Sequence, residues 1–372
     1  MTGNRKGGLM ETKKLKLIPL MVLSLLLILP ASEIFAEAGE IEKEIKMADK
    51  VSEQVEKHWD RVTDPVRIAR ITMILSRLSP FTDRDLPFEA RLIDEDRPNA
   101  FALPGGRIYL TTGILDFCRS DDELASVIAH ELVHTDKKHG MIQSARNQRL
   151  SIGALAVIIA TGGQSAAPIL ANLAQVAIMN SYSKDLEKEA DTVGLKILFQ
   201  ADYEPAAAVT VMERLQEEEI KRPFVDPGIF AAHPKTRERV QGLIGIIREN
   251  GWPLERKKAL RLLRTTITGE EGSLYLNLDG RPVWHGPSGE STRRLLEKTA
   301  GLLDRHLQME TSPYDVSIME FQGKQVLRIG LGTVVSQEEI LPGMPPLDDL
   351  REKIVAALQW ARSAHPVADY HR

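Results

Sequence analysis

From Ser120 to Gly140 the chain carries the run Leu124-Ala-Ser-Val-Ile-Ala-His-Glu-Leu-Val-His134, which limits the possible folds more than any other stretch. Ser120 with Glu123 forms a capping-box signature, and Lys137, Lys138, His139 and Gly140 read as the C-terminal turn of the same helix. Between these ends Leu124, Ala125, Val127, Ile128, Ala129, Leu132 and Val133 point to nearly every side of a helix with 3.6 residues per turn. A helix of that kind is buried, so its polar groups need partners inside the protein. Those groups are His130, Glu131 and His134. Histidines at i and i+4 share a face, so both imidazoles can reach one Zn²⁺ at ~2.0–2.1 Å. Glu131 stands beside them, placed to take a proton from water and pass it to a leaving amine.

A third ligand is needed, and the residues offer two sources. His139 follows His134 on the same run, but on a continuing helix it turns ~140° away and reads as a solvated helix-end cation. A second helix offers Asp185-Leu-Glu187-Lys-Glu189-Ala-Asp191. Glu187 and Asp191 share a face, so one can bind metal while the other orients a ligand imidazole. Glu189 lies ~200° round from Glu187 and faces the other way. Ala190, Val193, Gly194, Leu195 and Leu198 mark this helix as packed.

Composition narrows the chemistry. The lone cysteine, Cys118, excludes an internal disulfide framework and a Cys-rich zinc site, and without a partner histidine it reads as a buried small hydrophobe. A net charge of −4, from 48 basic and 52 acidic residues, provides no basic field for nucleic acid. The remaining histidines, His58, His285, His306, His365 and His371, lack ligand spacing.

A length of 372 residues predicts about two domains. Residues 1–36 have a basic start, an apolar run from Leu17 to Leu29 and Ala36-Glu37-Ala38, the pattern of a secretory signal peptide. The alternative is a membrane anchor formed by residues 17–29. Helices are expected from Glu40 to His58 and from Pro65 to Leu78, then strands near 88–94, 99–103 and 107–113 with a turn at Pro104-Gly105-Gly106. Helices dominate from Asp121 to Asn250. Past Gly251 strands are expected at Ser273–Leu278, Tyr314–Phe321 and Gln325–Leu331, with helices near Ser291–Leu307 and Asp348–Ser363. No internal repeat is visible. The reading is α+β: a mainly helical zincin-type domain over 37–250 with a small sheet bordering its central helix, then a small α+β domain over 251–372. Ser151–Asn180 is apolar but interrupted, each half too short to cross a ~30 Å membrane core, so two covering helices are expected, with peripheral membrane contact as an alternative.

Five spaced motifs, Asn99-Ala-Phe-Ala-Leu-Pro-Gly-Gly, Thr112-Gly-Ile-Leu, His130-Glu-Leu-Val-His134, Glu187-Lys-Glu-Ala-Asp191 and His233-Pro-Lys-Thr-Arg-Glu-Arg239, resemble the HtpX/BepA/CAAX-prenyl-protease family of gluzincin metallopeptidases over residues 40–250. The resemblance implies Glu187 as third ligand of one zinc per chain and Asp191 as the residue orienting a ligand. It implies that His233 approaches the metal and can hold the enzyme latent, and that Arg239 faces the oxyanion or the substrate carbonyl. It also gives Phe101–Tyr109 the role of an edge strand that takes extended peptides by β-addition, the alternative being an ordinary packed strand pair with a Pro-Gly-Gly turn. The function expected is an exported zinc endopeptidase acting on unfolded or misassembled envelope proteins, in contact with envelope assembly machinery and resident in the periplasm. The competing expectation is a chaperone or assembly factor whose zinc site stays closed.

Overall fold

The computed structural model describes residues 39–161, 166–179, 182–221 and 236–365. The expected signal peptide, His233 and His371 lie outside them.

Local signals set the first elements. Helix α1 covers 39–55, and α2 runs Pro65–Leu78 with the Asp64 carboxylate accepting from Arg67 N at 2.8 Å. Strands β1 (Glu89–Ile93), β2 (Ala100–Leu103) and β3 (Arg107–Thr111) form one sheet in the order β1-β3-β2, with β1 parallel and β2 antiparallel to β3. Both faces of this sheet are buried, which explains the unbroken apolar run Ala-Phe-Ala-Leu. Ala100, Ala102, Ile108 and Leu110 join the main core, while Phe101, Leu103 and Tyr109 join a second cluster with Met47 and Val51 of α1.

After α3 (Thr112–Phe117) comes the central helix α4, Asp121–Asp136, buried on nearly all sides as its composition predicts. Ser120 Oγ accepts from Glu123 N at 3.1 Å, but the Glu123 carboxylate turns to Arg119 N at 2.7 Å and to the buried Arg214 at 2.6 Å, so the reciprocal half of the capping box is absent. The C-terminal end also differs from expectation. Helix α4 stops at Asp136, Lys138 adopts a left-handed conformation (φ 58°), and a new helix α5, His139–Gln148, begins at once. The turn before β3 locks onto this end. Gly105 has φ 74°, and a Cβ there would lie 2.9 Å from Ile45 N. Gly106 N donates to Thr135 Oγ1 at 3.0 Å, and Arg84 N donates to Asp136 Oδ1 at 2.9 Å.

The apolar stretch forms α6 (Ile152–Thr161) and α7 (Ala166–Ile178). No described helix is long and apolar enough to cross a membrane. Helix α7 packs beside β2, the outer strand of the sheet, whose four residues are all buried. Then follow α8 (Lys184–Gln200), α9 (Ala206–Lys221), α10 (Thr236–Glu249) and the short α11 (Arg256–Leu260).

Residues beyond 260 gather around a separate core. Three antiparallel strands, β4 (Thr265–Glu270), β5 (Ser273–Leu278) and β6 (Arg281–Pro287), precede α12 (Glu290–His306). The pattern then recurs with β7 (Val316–Phe321), β8 (Lys324–Ile329) and β9 (Gly332–Ser336) before α13 (Leu347–Ala364). The region is thus a structural repeat, which the residues did not reveal, and β4, β6 and β9 were not expected. Its helices cross over: α12 packs on β4–β6 and on β9, α13 on β7 and β8 and on β6. The α+β reading, with a mainly helical first part, agrees with this architecture.

The two cores meet at α11. Arg256 forks onto Glu213 of α9 with a closest approach of 2.7 Å, and both are buried. Arg256 also reaches Glu310 at 2.7 Å, and His365 Nε2 lies 3.5 Å from Glu213. Ser120, the cap of α4, donates its hydroxyl to Ala259 O at 2.6 Å.

Candidate metal centre

Helices α4 and α8 pack closely because Ala190 and Gly194, one turn apart on α8, put almost no side chain between them. A Cβ on Gly194 would lie 3.4 Å from His130 N. This approach brings Glu187 of α8 under the two histidines of α4. His130 Nε2 and His134 Nε2 are 3.0 Å apart, and the Glu187 carboxylate oxygens lie 3.6 Å from each. Within the described residues these three offer donor atoms that all lie within 4.8 Å of one another.

The far side of each ring is occupied. His130 Nδ1 faces Asp191 Oδ1 at 3.1 Å, and Arg239 of α10 forks onto the same carboxylate at 2.6 and 3.0 Å while reaching Glu187 at 3.3 Å. Burial works against charge on His130, but the hydrogen bonds to Asp191 and Glu187 prevail and lift its pKa to about 9. Burial likewise opposes the Asp191 anion, yet Arg239 and His130 bring its pKa down to about 2. A ring that so favours positive charge, next to two carboxylates, is a place where a cation can replace a proton. Two imidazole nitrogens and one carboxylate are a donor set that fits a metal ion.

Glu131 is 1 % exposed and points to the sheet side, where the Ala102 backbone N–H donates to its carboxylate. Burial raises its pKa to about 8, and Oε2 has no hydrogen-bond partner among the described residues. It can therefore hold or release a proton near neutrality.

Two expectations change here. Arg239, expected toward an oxyanion, is engaged instead by Asp191 and Glu187. His139, expected in solvent, is 0 % exposed, with Nδ1 3.0 Å from His134 Nδ1. The left-handed Lys138 redirects the chain, so the ~140° offset of a continuous helix does not apply. Glu189 faces away from Glu187 as expected, but its Oε2 reaches His139 Nε2 at 3.4 Å. Tyr182 was not singled out by the sequence; its ring stacks on His134 with centroids 4.0 Å apart. Only its place just before the acidic helix hinted at proximity. Cys118 is buried in the main core as read.

Residues 65–247 match the sequence profile of Peptidase family M48, a span that runs from α2 into α10 and holds every residue just described. The chain is 32% identical over 158 residues to the Mitochondrial metalloendopeptidase OMA1 of Schizosaccharomyces pombe, covering 42% of this chain and 46% of that protein. It is 30% identical over 211 residues to the Beta-barrel assembly-enhancing protease of Escherichia coli (strain K12), covering 54% of this chain and 43% of that protein. The chain therefore spans under half the length of these relatives. Through residues 65–247 it belongs to peptidase family M48.

Proposed function

We propose that the chain is an exported zinc endopeptidase that hydrolyses peptide bonds in unfolded or misassembled envelope proteins. The observation that carries this is the three-donor cluster with an uncommitted, buried Glu131 oxygen beside it. Donors on a tetrahedral ion with ~2.0–2.1 Å bonds lie ~3.3–3.4 Å apart. The separations here, 3.0, 3.6 and 3.6 Å, bracket that value. His130, His134 and Glu187 would hold one Zn²⁺, which when bound supplies Lewis-acid activation of water and of the scissile carbonyl.

The chain's own groups perform the proton work. Glu131 takes a proton from the attacking water and passes it to the leaving amine. Asp191 accepts from His130 Nδ1 and so fixes the ring's tautomer and direction. Arg239 holds Asp191 and Glu187 in place. A family homologue named for β-barrel assembly and the secretory pattern of residues 1–36 support work in the cell envelope. The separate cores support a peptidase domain over 37–250 and a second domain over 251–372.

The test is metal analysis with an unfolded-casein assay on the wild type, Glu131→Gln and His233→Ala. Glu131→Gln should bind one zinc and lose at least ~10²-fold in turnover. Higher activity in His233→Ala would support latency; equal or lower activity would count against it. A client-binding reading draws on exposed Tyr314, Met319, Phe321 and Leu331 near the outer β7–β8 surface. It predicts that client binding and phenotype survive Glu131→Gln unchanged.

A further inference from the structure

We infer that His139, backed by Glu189, is the positioning residue for His134, accepting its Nδ1 proton so that Nε2 presents a lone pair to the metal. The inference rests on the zinc-site reading above. It starts from proton counting. Two ring nitrogens 3.0 Å apart with no metal to bridge them share one proton, because two lone pairs repel and two N–H groups collide; the Nε2 pair of His130 and His134, equally close, differs in that a cation can sit between them. His134 Nε2 points at the His130 and Glu187 donors, so its lone pair belongs on that side and its proton on Nδ1. His139 Nδ1 must then be the acceptor. Its own proton then sits on Nε2, which lies 3.4 Å from Glu189 Oε2 without hydrogen-bond alignment, so the carboxylate acts on it through charge. In order these are the Glu189 charge, the His139 ring, the His134 N–H and the Nε2 lone pair that faces His130 and Glu187.

The backbone is arranged for this contact. Lys138 takes a left-handed conformation (φ 58°) that residues with a Cβ disfavour. It is held there by Glu40 at 2.8 Å and Glu44 at 3.2 Å, and its strain begins α5 with His139 directed inward. Tyr182 stacks on one face of the His134 ring, while His139 meets it edge-on. The two ligands are thereby supported differently. His130 leans on an anion, Asp191, whereas His134 leans on a neutral ring that passes the influence of Glu189.

The test uses full chains: wild type, His139→Phe, His139→Asn and Glu189→Gln. Zn²⁺ affinity is read by competition with a chromophoric chelator, and the Co²⁺-substituted proteins give absorption spectra. His139→Phe fills the volume without an acceptor and should weaken Zn²⁺ binding ~10–100-fold while altering the Co²⁺ spectrum. His139→Asn keeps an acceptor near the Nδ1 position and should restore binding to within a few-fold of wild type. Glu189→Gln lies at the surface end, so it should fold even where His139→Phe does not, and it should weaken binding several-fold. Equal affinity and spectra across the folded variants would overturn this inference alone. A wild type that fails to bind Zn²⁺ would remove the zinc reading and this inference together.

Discussion

Burial lifts the pKa of Glu131 to about 8, from an ordinary carboxyl value near 4.5, and this couples the residue to stability. The folded state holds the proton that the unfolded state releases first. Stability is therefore lost as pH rises between those values, with the full penalty present above the folded pKa. In chelator, Glu131→Gln should be more stable than wild type at pH 7 by roughly 1–3 kcal/mol, the gap closing below about pH 4.5. Thermal melts across pH check this, and a gap of opposite sign would refute it. Arg239→Ala leaves Asp191 and Glu187 as buried carboxylates without their cation and should destabilise by about 3–5 kcal/mol, with weaker zinc binding as the second readout. Among single residues the sequence was most legible where helical geometry fixes direction. That His130 faces with His134, and Glu187 with Asp191, follows from i,i+4 spacing; which of the two carboxylates meets the histidines' Nε2 atoms came only with the family resemblance. His139 was misread because its direction depends on one backbone angle at Lys138, and no residue type in Lys-Lys-His-Gly requires that angle.

Among elements, the approach of α4 to α8 sets the site. Gly194→Ala adds a Cβ at ordinary contact distance, 3.4–3.5 Å from Ala129 and His130 backbone, and gains ~0.8–1 kcal/mol of helix propensity. It should keep zinc stoichiometry and match or exceed wild-type stability. Gly194→Leu should drive the helices apart, withdraw Glu187 and lower bound zinc below one per chain, measured by metal analysis on the folded protein. The elements of the first core were legible because each carries its own punctuation, such as Asp64-Pro65 or Pro104-Gly105-Gly106. Three later strands lacked it. Thr265–Glu270 is largely exposed and lacks alternating apolar residues, Arg281–Pro287 contains Pro282, and Gly332–Ser336 is only five residues long.

At the scale of the whole molecule, Arg256 is the point through which the cores communicate. Arg256→Ala strands Glu213 in the interior and should cost about 3–5 kcal/mol, with one calorimetric transition becoming two. Replacing both partners by Met removes the uncompensated charge and should recover most of that loss. This joint could not be read in advance, since Glu213 and His365 are 152 positions apart and nothing local marks either as a partner. The repeat was equally hidden because its halves share order of elements and hairpin glycines, Gly272 with Gly323 and Gly280 with Gly330, but not their packing residues. The crossing of α12 onto β9 and of α13 onto β6 has a practical consequence. A proteolytic nick in the link between the two units leaves fragments that stay associated and co-purify. A chain that terminates there instead leaves α12 with an uncovered apolar flank, so the second half of the molecule tolerates being cut far better than being shortened.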